Sequence, residues 1–300
     1  MENQSKGIVL LAIGHPNYVR MAQNLAVALN SFSVKYPITL ITNEEVINAL
    51  KKDFYQDQFT NIVFIDTKDY DFGRKKYWGR AKLNIFKYTP YDRTIFLDAD
   101  SFPSFNFQID NIFESTKGYD FYVSNYSIGS IHDQNLSMGH WATISSFEAS
   151  MFIKNTIPTD IQSSLQVFSQ NDKVRAFFNK AIWYHDYIKN NNIKFNTRWF
   201  NVVPDELCLS LAFASVEMDV PEDKGLLHSI YSHLKIGERE TLTNCGKMIT
   251  FATGVNRLGR SAKELYNAFA RDYGRKANKW PMYSWIDKSS FIPFNMIKKK

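Results

Sequence analysis

The 300-residue sequence has two cysteines, Cys208 and Cys245, and they show no metal-type spacing. It lacks any apolar run near the roughly 20 residues of a membrane span. The N-terminal run Gly7 to Ile13 is too short for a signal peptide and lacks its arrangement. Two lone thiols without a signal segment fit a reducing cytoplasm. There is no internal repeat and no low-complexity linker. What is present is apolar and aromatic. With 44% hydrophobic and 15% aromatic residues the chain can fill a core, which excludes global disorder. Its length suits one large domain or two small ones.

The net charge of +6 has one location. Residues 271–300 hold eight Lys and Arg against Asp272 and Asp287, so everything before Arg271 is neutral in sum. Trp280, Tyr283, Trp285, Phe291, Phe294 and Met296 are interleaved with these charges. Such a mix suits an anionic membrane surface, with nucleic acid the lesser fit. A solvated end whose aromatics pack back on the domain is the plain alternative.

Along the chain, Ile8–Ile13 reads as a buried strand, broken by His15-Pro16-Asn17. Tyr18–Leu29 then places Met21, Leu25 and Leu29 on one helical face. Pro37–Ile41 is a second strand, followed by a helix to Leu50; Ile62–Ile65 is a third. A helix is expected from about Lys76 to Tyr88, stopped by Pro90. Further on, Tyr122–Asn125 and Phe147–Ile153 read as strands, Ser127–Ser146 as a mobile loop, and Ile161–Lys189 as mostly helix. Pro204-Asp205-Glu206 opens a helix through Phe213, with the acids in its first turn. Strands alternating with helices predict a mainly parallel, doubly covered α/β sheet with ligands at the strands' carboxyl ends. His15, His132, His140 and His185 have no ligand spacing and are expected in loops or at the surface.

The central stretch is Arg93 to Phe102. Thr94–Leu97 is a buried strand that ends in Asp98 and Asp100. Alternation along a strand would point these carboxylates to opposite sides, so both reach one ion only if the chain turns at Ala99, or if one acts through water or a ligand. Burying two charges there calls for a compensating cation, and carboxylate oxygens suit Mg²⁺ or Mn²⁺. A polar turn after an edge strand is the bland reading.

These residues resemble the GT-A nucleotide-sugar glycosyltransferases, especially the glycogenin-like family and its bacterial lipopolysaccharide relatives. Asn17-Tyr18 before Ala22–Leu29 looks like the family's first loop, with Tyr18 where an aromatic stacks on the base. Arg80-Ala81-Lys82-Leu83 resembles its basic helix. Arg80 and Lys82, two apart, point to roughly opposite sides, which favours Lys82 as the donor contact. Phe147–Ile153 looks like the second active-site strand, with Glu148 where the family has Asn or a small polar residue. Asp205-Glu206 resembles the acidic helix start that borders the acceptor. Ser232–Lys235 resembles the late metal histidine, His233, with His228 as rival; Gly237 and Arg239 follow at four and six residues, whereas the family has Gly at three and Lys at six. The resemblance spans about residues 7–240. It implies a GT-A-like, Rossmann-like catalytic domain over 1–250, with a donor half to about 103 and an acceptor half from 104. Residues 251–300 are then a helical or irregular, basic and aromatic extension.

The implied reaction moves a sugar, hexosyltransferase-like, from a UDP-linked or other nucleoside-diphosphate donor to a glycan, lipid-linked or protein hydroxyl. Asp98, Asp100 and His233 would hold Mn²⁺ or Mg²⁺ on the diphosphate. Tyr18, Arg80, Lys82, Asp98 and Arg239 would bind donor. Asp205, Glu206 and Glu148 compete for the role of base or of stabiliser of an oxocarbenium-like state. Two other classes remain. A haloacid-dehalogenase-type phosphatase also has an apolar strand ending in D-x-D, but near its N-terminus, followed by Thr or Val where this chain has Ser101. A non-catalytic, transferase-like module docking through its basic tail is the third.

Overall fold

The computed structural model describes residues 5–32, 35–50, 54–72, 75–76, 78–131, 137–138, 142–143, 152–191, 203–230, 238–251 and 260–276. Strand β1 (Lys6–Ala12) ends at Gly14, whose φ of 80° only glycine adopts freely. The chain then enters α1 (Pro16–Ser31), capped by His15, whose ring nitrogen accepts the Asn17 N–H. Then follow β2 (Ile38–Thr42), α2 (Glu44–Leu50), β3 (Asn61–Phe64) and a short ribbon of β4 (Asp71–Phe72) and β5 (Lys75–Lys76). The helix expected over 76–88 is two, α3 (Trp78–Leu83) and α4 (Ile85–Tyr88). They break at Asn84, whose amide donates back to the Arg80 and Asp69 carbonyls at 2.9 and 3.1 Å.

Strand β6 (Arg93–Asp98) is separated from β7 (Ser101–Pro103) by a turn at Ala99-Asp100. After α5 (Ile109–Ser115) come β8 (Phe121–Asn125), β9 (Ile128–Ser130), β10 (Ser137–Met138), β11 (Ala142–Thr143) and β12 (Thr156–Pro158). The stretch expected as a loop over 127–146 thus contains short paired strands. Residues 147–151 lie outside the described set, and Phe152 and Ile153 belong to no strand; the Ile153 and Lys154 N–H groups instead donate to the Ala214 carbonyl at 2.9 and 3.0 Å. The expected helix from Ile161 begins as the strand β13 (Ile161–Ser169), and only then comes α6 (Asp172–Asn190), capped by Asn171. The chain continues through α7 (Asp205–Ser215), β14 (Leu227–Ser229), α8 (Glu238–Thr243), β15 (Met248–Thr250) and α9 (Arg260–Lys276).

The main sheet has the order β3-β2-β1-β6-β13-β8. β1, β2 and β3 pair in parallel, and β13 runs antiparallel to β8. This is the expected mixed α/β fold with a mainly parallel sheet. Two compact units divide the chain: one of Met1–Ser5, Ile65–Ile95 and Ser115–Lys224, the other of Lys6–Phe64, Phe96–Glu114 and Gly225–Lys300. In the first, Phe121, Phe177 and Phe213 interlock, with ring centroids 4.6 Å (Phe121–Phe177) and 4.7 Å (Phe177–Phe213) apart. His185, expected at the surface, is fully buried there, because α6 packs along α7. In the second, α9 packs on α1. Phe102 meets Tyr266 at 4.9 Å, and the Asn24 amide donates to the Tyr266 hydroxyl at 3.3 Å. Among the described residues no helix is long and apolar enough to cross a membrane.

Candidate active site

In the unit containing β1, the predicted acids stand at a turn, one of the two arrangements that the sequence reading left open. Asp98 closes β6, Ala99 and Asp100 form the turn, and the Asp100 carbonyl accepts the Phe251 N–H at 3.1 Å. Both aspartates are half-buried. The Tyr266 hydroxyl is pushed upward, first by complete burial and then by the Asp100 carboxylate. Tyr18 lies half-buried in the first turn of α1, beside a fully buried Asn17 whose side-chain oxygen accepts from Arg20 at 2.9 Å. The Asn43 side-chain oxygen accepts the Gly14 N–H at 3.1 Å, fixing the carboxyl ends of β1 and β2 together. His15 is held below its usual range by burial and by Arg20. His228, on β14, is likewise lowered by burial and then Lys247, against a smaller opposite pull from Glu238. Arg239 falls in α8 but its side chain is outside the described set, as are His233 and Glu148. Among the described residues no group of three or more His, Cys, Asp and Glu is arranged to hold a metal.

The other unit gathers Lys82, Asp205 and Glu206. The Lys82 ammonium donates to the Ser163 hydroxyl at 2.9 Å and lies 3.3 Å from Asp205 Oδ2. Ser163 Oγ is 2.7 Å from Asp205 Oδ2 and 3.0 Å from Glu206 Oε1. Glu206 keeps some solvent contact as a residue, but its carboxyl is enclosed by protein, and that desolvation pushes it up to about 8. The neighbouring Asp205 charge adds to the rise and Lys82 opposes it. Burial also drives the Cys208 thiol well up. Arg80 faces elsewhere, as its spacing from Lys82 implies. Its guanidinium holds Asp186 at 2.9 and 3.1 Å and donates to the Lys68 carbonyl at 2.6 Å.

Ser163 is the member that sequence reading missed. Polar Gln162, Ser163, Ser164 and Gln166 interrupt an apolar alternation, and all four are buried. The β13–β8 register explains why: Gln162 pairs with Ser124 and Gln166 with Val123, so Ser163–Leu165 form a bulge. Bulges re-aim side chains, and this one presents Ser163 to the cluster. The Gln166 amide braces it by donating to the Ser163 carbonyl at 3.1 Å.

The fold is the GT-A type of nucleotide-sugar glycosyltransferases. Over 91% of this chain it matches a galactosyltransferase, LgtC, solved with donor and acceptor sugar analogs, at 11% identity and a TM-score of 0.50 over 95% of that chain. A glycosyltransferase of Streptococcus pneumoniae TIGR4, GlyE, matches 92% of this chain at 11% identity and a TM-score of 0.50; this chain spans 64% of its length. At such identity the likeness is one of fold. The sequence matches no protein-family model and no curated protein.

Proposed function

We propose that the protein is a nucleotide-sugar-dependent glycosyltransferase of hexosyltransferase type, acting on a glycan, lipid-linked or protein hydroxyl. The observation that carries the reading is the half-buried acid pair on the turn closing β6, in a chain with the GT-A fold. Two carboxylates fit a hard divalent cation, Mn²⁺ or Mg²⁺, that takes its other ligands from phosphate oxygens, water and an imidazole, His233 or His228. Such an ion, when bound, neutralises the leaving diphosphate as a Lewis acid. Asp98 and Asp100 would hold it. Lys82 adds positive charge for the donor, and Tyr18 offers a ring face to the base, uracil in a UDP-linked donor. Asp205 and Glu206 contact sugar or acceptor hydroxyls, with Glu148 and Arg239 as further candidates. The basic aromatic segment 271–300 suits an anionic membrane surface, which makes the proposed setting cytoplasmic and peripheral.

The test is a thermal-shift screen of nucleoside-diphosphate sugars with and without Mn²⁺. A donor at a hundred times its Kd stabilises the native state by about 2.7 kcal/mol. One donor should raise the melting point only with metal, and Asp100→Ala should lose both that rise and turnover. Metal-dependent donor hydrolysis persisting in Asp100→Ala sinks the assignment.

A further inference from the structure

The Lys82–Ser163–Asp205–Glu206 cluster has more acceptors than its protons can serve if both carboxyls are ionised. Ser163 has one O–H, yet two carboxylate oxygens lie at 2.7 and 3.0 Å. It also accepts from the Lys82 ammonium. Every contact is made only when one carboxyl carries a proton and donates it to Ser163 Oγ, while Ser163 donates onward to the other. The ammonium 3.3 Å from Asp205 Oδ2 places the negative charge on Asp205.

We infer that Ser163 is a positioning residue of the proposed glycosyl transfer: it divides the Asp205–Glu206 pair into an ionised aspartate and a neutral glutamic acid, so that Asp205 serves as anion or base and Glu206 as hydrogen-bond donor. The assignment of roles rests on the glycosyltransferase reading; the proton's location does not. The groups around Glu206 pull both ways, burial and the Asp205 charge raising its carboxyl against Lys82, with a net upward shift. Asp205 and Cys208 stand on its own helix, with Asp186 of α6 in the same field of the Cys208 thiol. Lys82 comes from α3 and Ser163 from β13, and the enclosed Glu206 carboxyl is shifted upward. A carboxyl kept neutral beside an ionised one is the arrangement that splits acid from base roles. The bulge in β13 is the structural device, since it takes Ser163 out of the β8 register.

Infrared difference spectra of the full chain, without substrate, test the proton directly. A protonated-carboxyl band should vanish in Glu206→Gln and persist in Asp205→Asn with its midpoint moved to lower pH, since the Asp205 charge that raises it is gone. A band lost in Asp205→Asn instead, or in neither variant, overturns the assignment. In Ser163→Ala the band's titration should move downward by about one pH unit, because the Oγ that accepts the proton of the neutral acid is gone. Ser163→Thr should restore it, and an unmoved midpoint removes Ser163 from the scheme. In turnover, the alkaline limb of kcat/KM should follow the band's midpoint and disappear in Glu206→Gln; a limb unchanged in that variant refutes the division of roles. If the band behaves as stated while no nucleotide sugar is bound or turned over, the glycosyltransferase reading fails and the proton's location stands.

Discussion

Replacing Gly79 by alanine should destabilise the protein, against the usual sign for a helix. Alanine in place of glycine ordinarily gains about 0.5–1 kcal/mol in a helix. Here a Cβ on Gly79 of α3 would sit 2.8 Å from the Val203 carbonyl oxygen, with the Asp205 N at 3.5 Å. Ordinary contact begins near 3.4 Å, so the backbone entering α7 must retreat by about 0.6 Å. Overpacking of this kind costs about 1–3 kcal/mol, which leaves a net loss of about 1–2 kcal/mol. That lowers the melting temperature by a few degrees, at about 2–4 °C per kcal/mol for a chain of this size. The displaced segment carries Asp205, whose contact with Lys82 is already 3.3 Å. Stretching it should cost turnover about tenfold or more, since a 1 Å misplacement can cost about a hundredfold. The control is Gly118→Ala. No atom lies within 4 Å of its Cβ, so stability should hold or rise slightly. Urea denaturation of both variants, with donor turnover alongside, decides the matter. A Gly79→Ala protein as stable and active as the parent would refute the packing described between α3 and α7.

Other expectations follow from buried polar groups. The Arg93 guanidinium donates to the Thr116 and Tyr119 carbonyls and the Ser169 hydroxyl at 2.7, 2.8 and 2.8 Å. Arg93→Met strands the buried Thr116 carbonyl and loses the part-buried Tyr119 and Ser169 contacts, and should cost roughly 2 kcal/mol in chemical denaturation. The Tyr273 hydroxyl donates to the Pro103 carbonyl at 2.6 Å, so Tyr273→Phe should cost about 1 kcal/mol, whereas Tyr273→Ala, which empties the aromatic cluster, should cost about 3–5. Glu206 holds its proton to about pH 8 in the fold, against a reference of 4.5. Between those values the folded chain binds more protons than the unfolded one, so Glu206's contribution is present at low pH and lost as pH rises across the window. Glu206→Gln should flatten that decline in unfolding free energy by a few kcal/mol; an unchanged slope contradicts the burial of its carboxyl.

The parts of this fold legible in the sequence are those where local pattern and tertiary environment agree. The apolar runs that became β1, β2 and β6 are buried, as such runs must be, and the acids at Asp205 and Glu206 stand in a helix's first turn. That Asp98 closes a buried strand was legible because the apolar run before it is local. β13 was not. Ile161–Lys189 reads as mostly helix, because Gln162, Ser163, Ser164 and Gln166 break the alternation that marks a strand. Ser163 is buried because its partners arrive from far along the chain, Lys82 from one side in sequence and Asp205 and Glu206 from the other. No window around Ser163 contains them. Nor does any window around His185 contain α7, whose packing encloses it. Burying a hydroxyl in the middle of a sheet at the expense of the ladder is unfavourable unless something distant compensates, and here the compensation is an ammonium and a carboxyl pair. A strand that breaks its own pattern to satisfy remote charges is therefore hard to read from any local window of sequence.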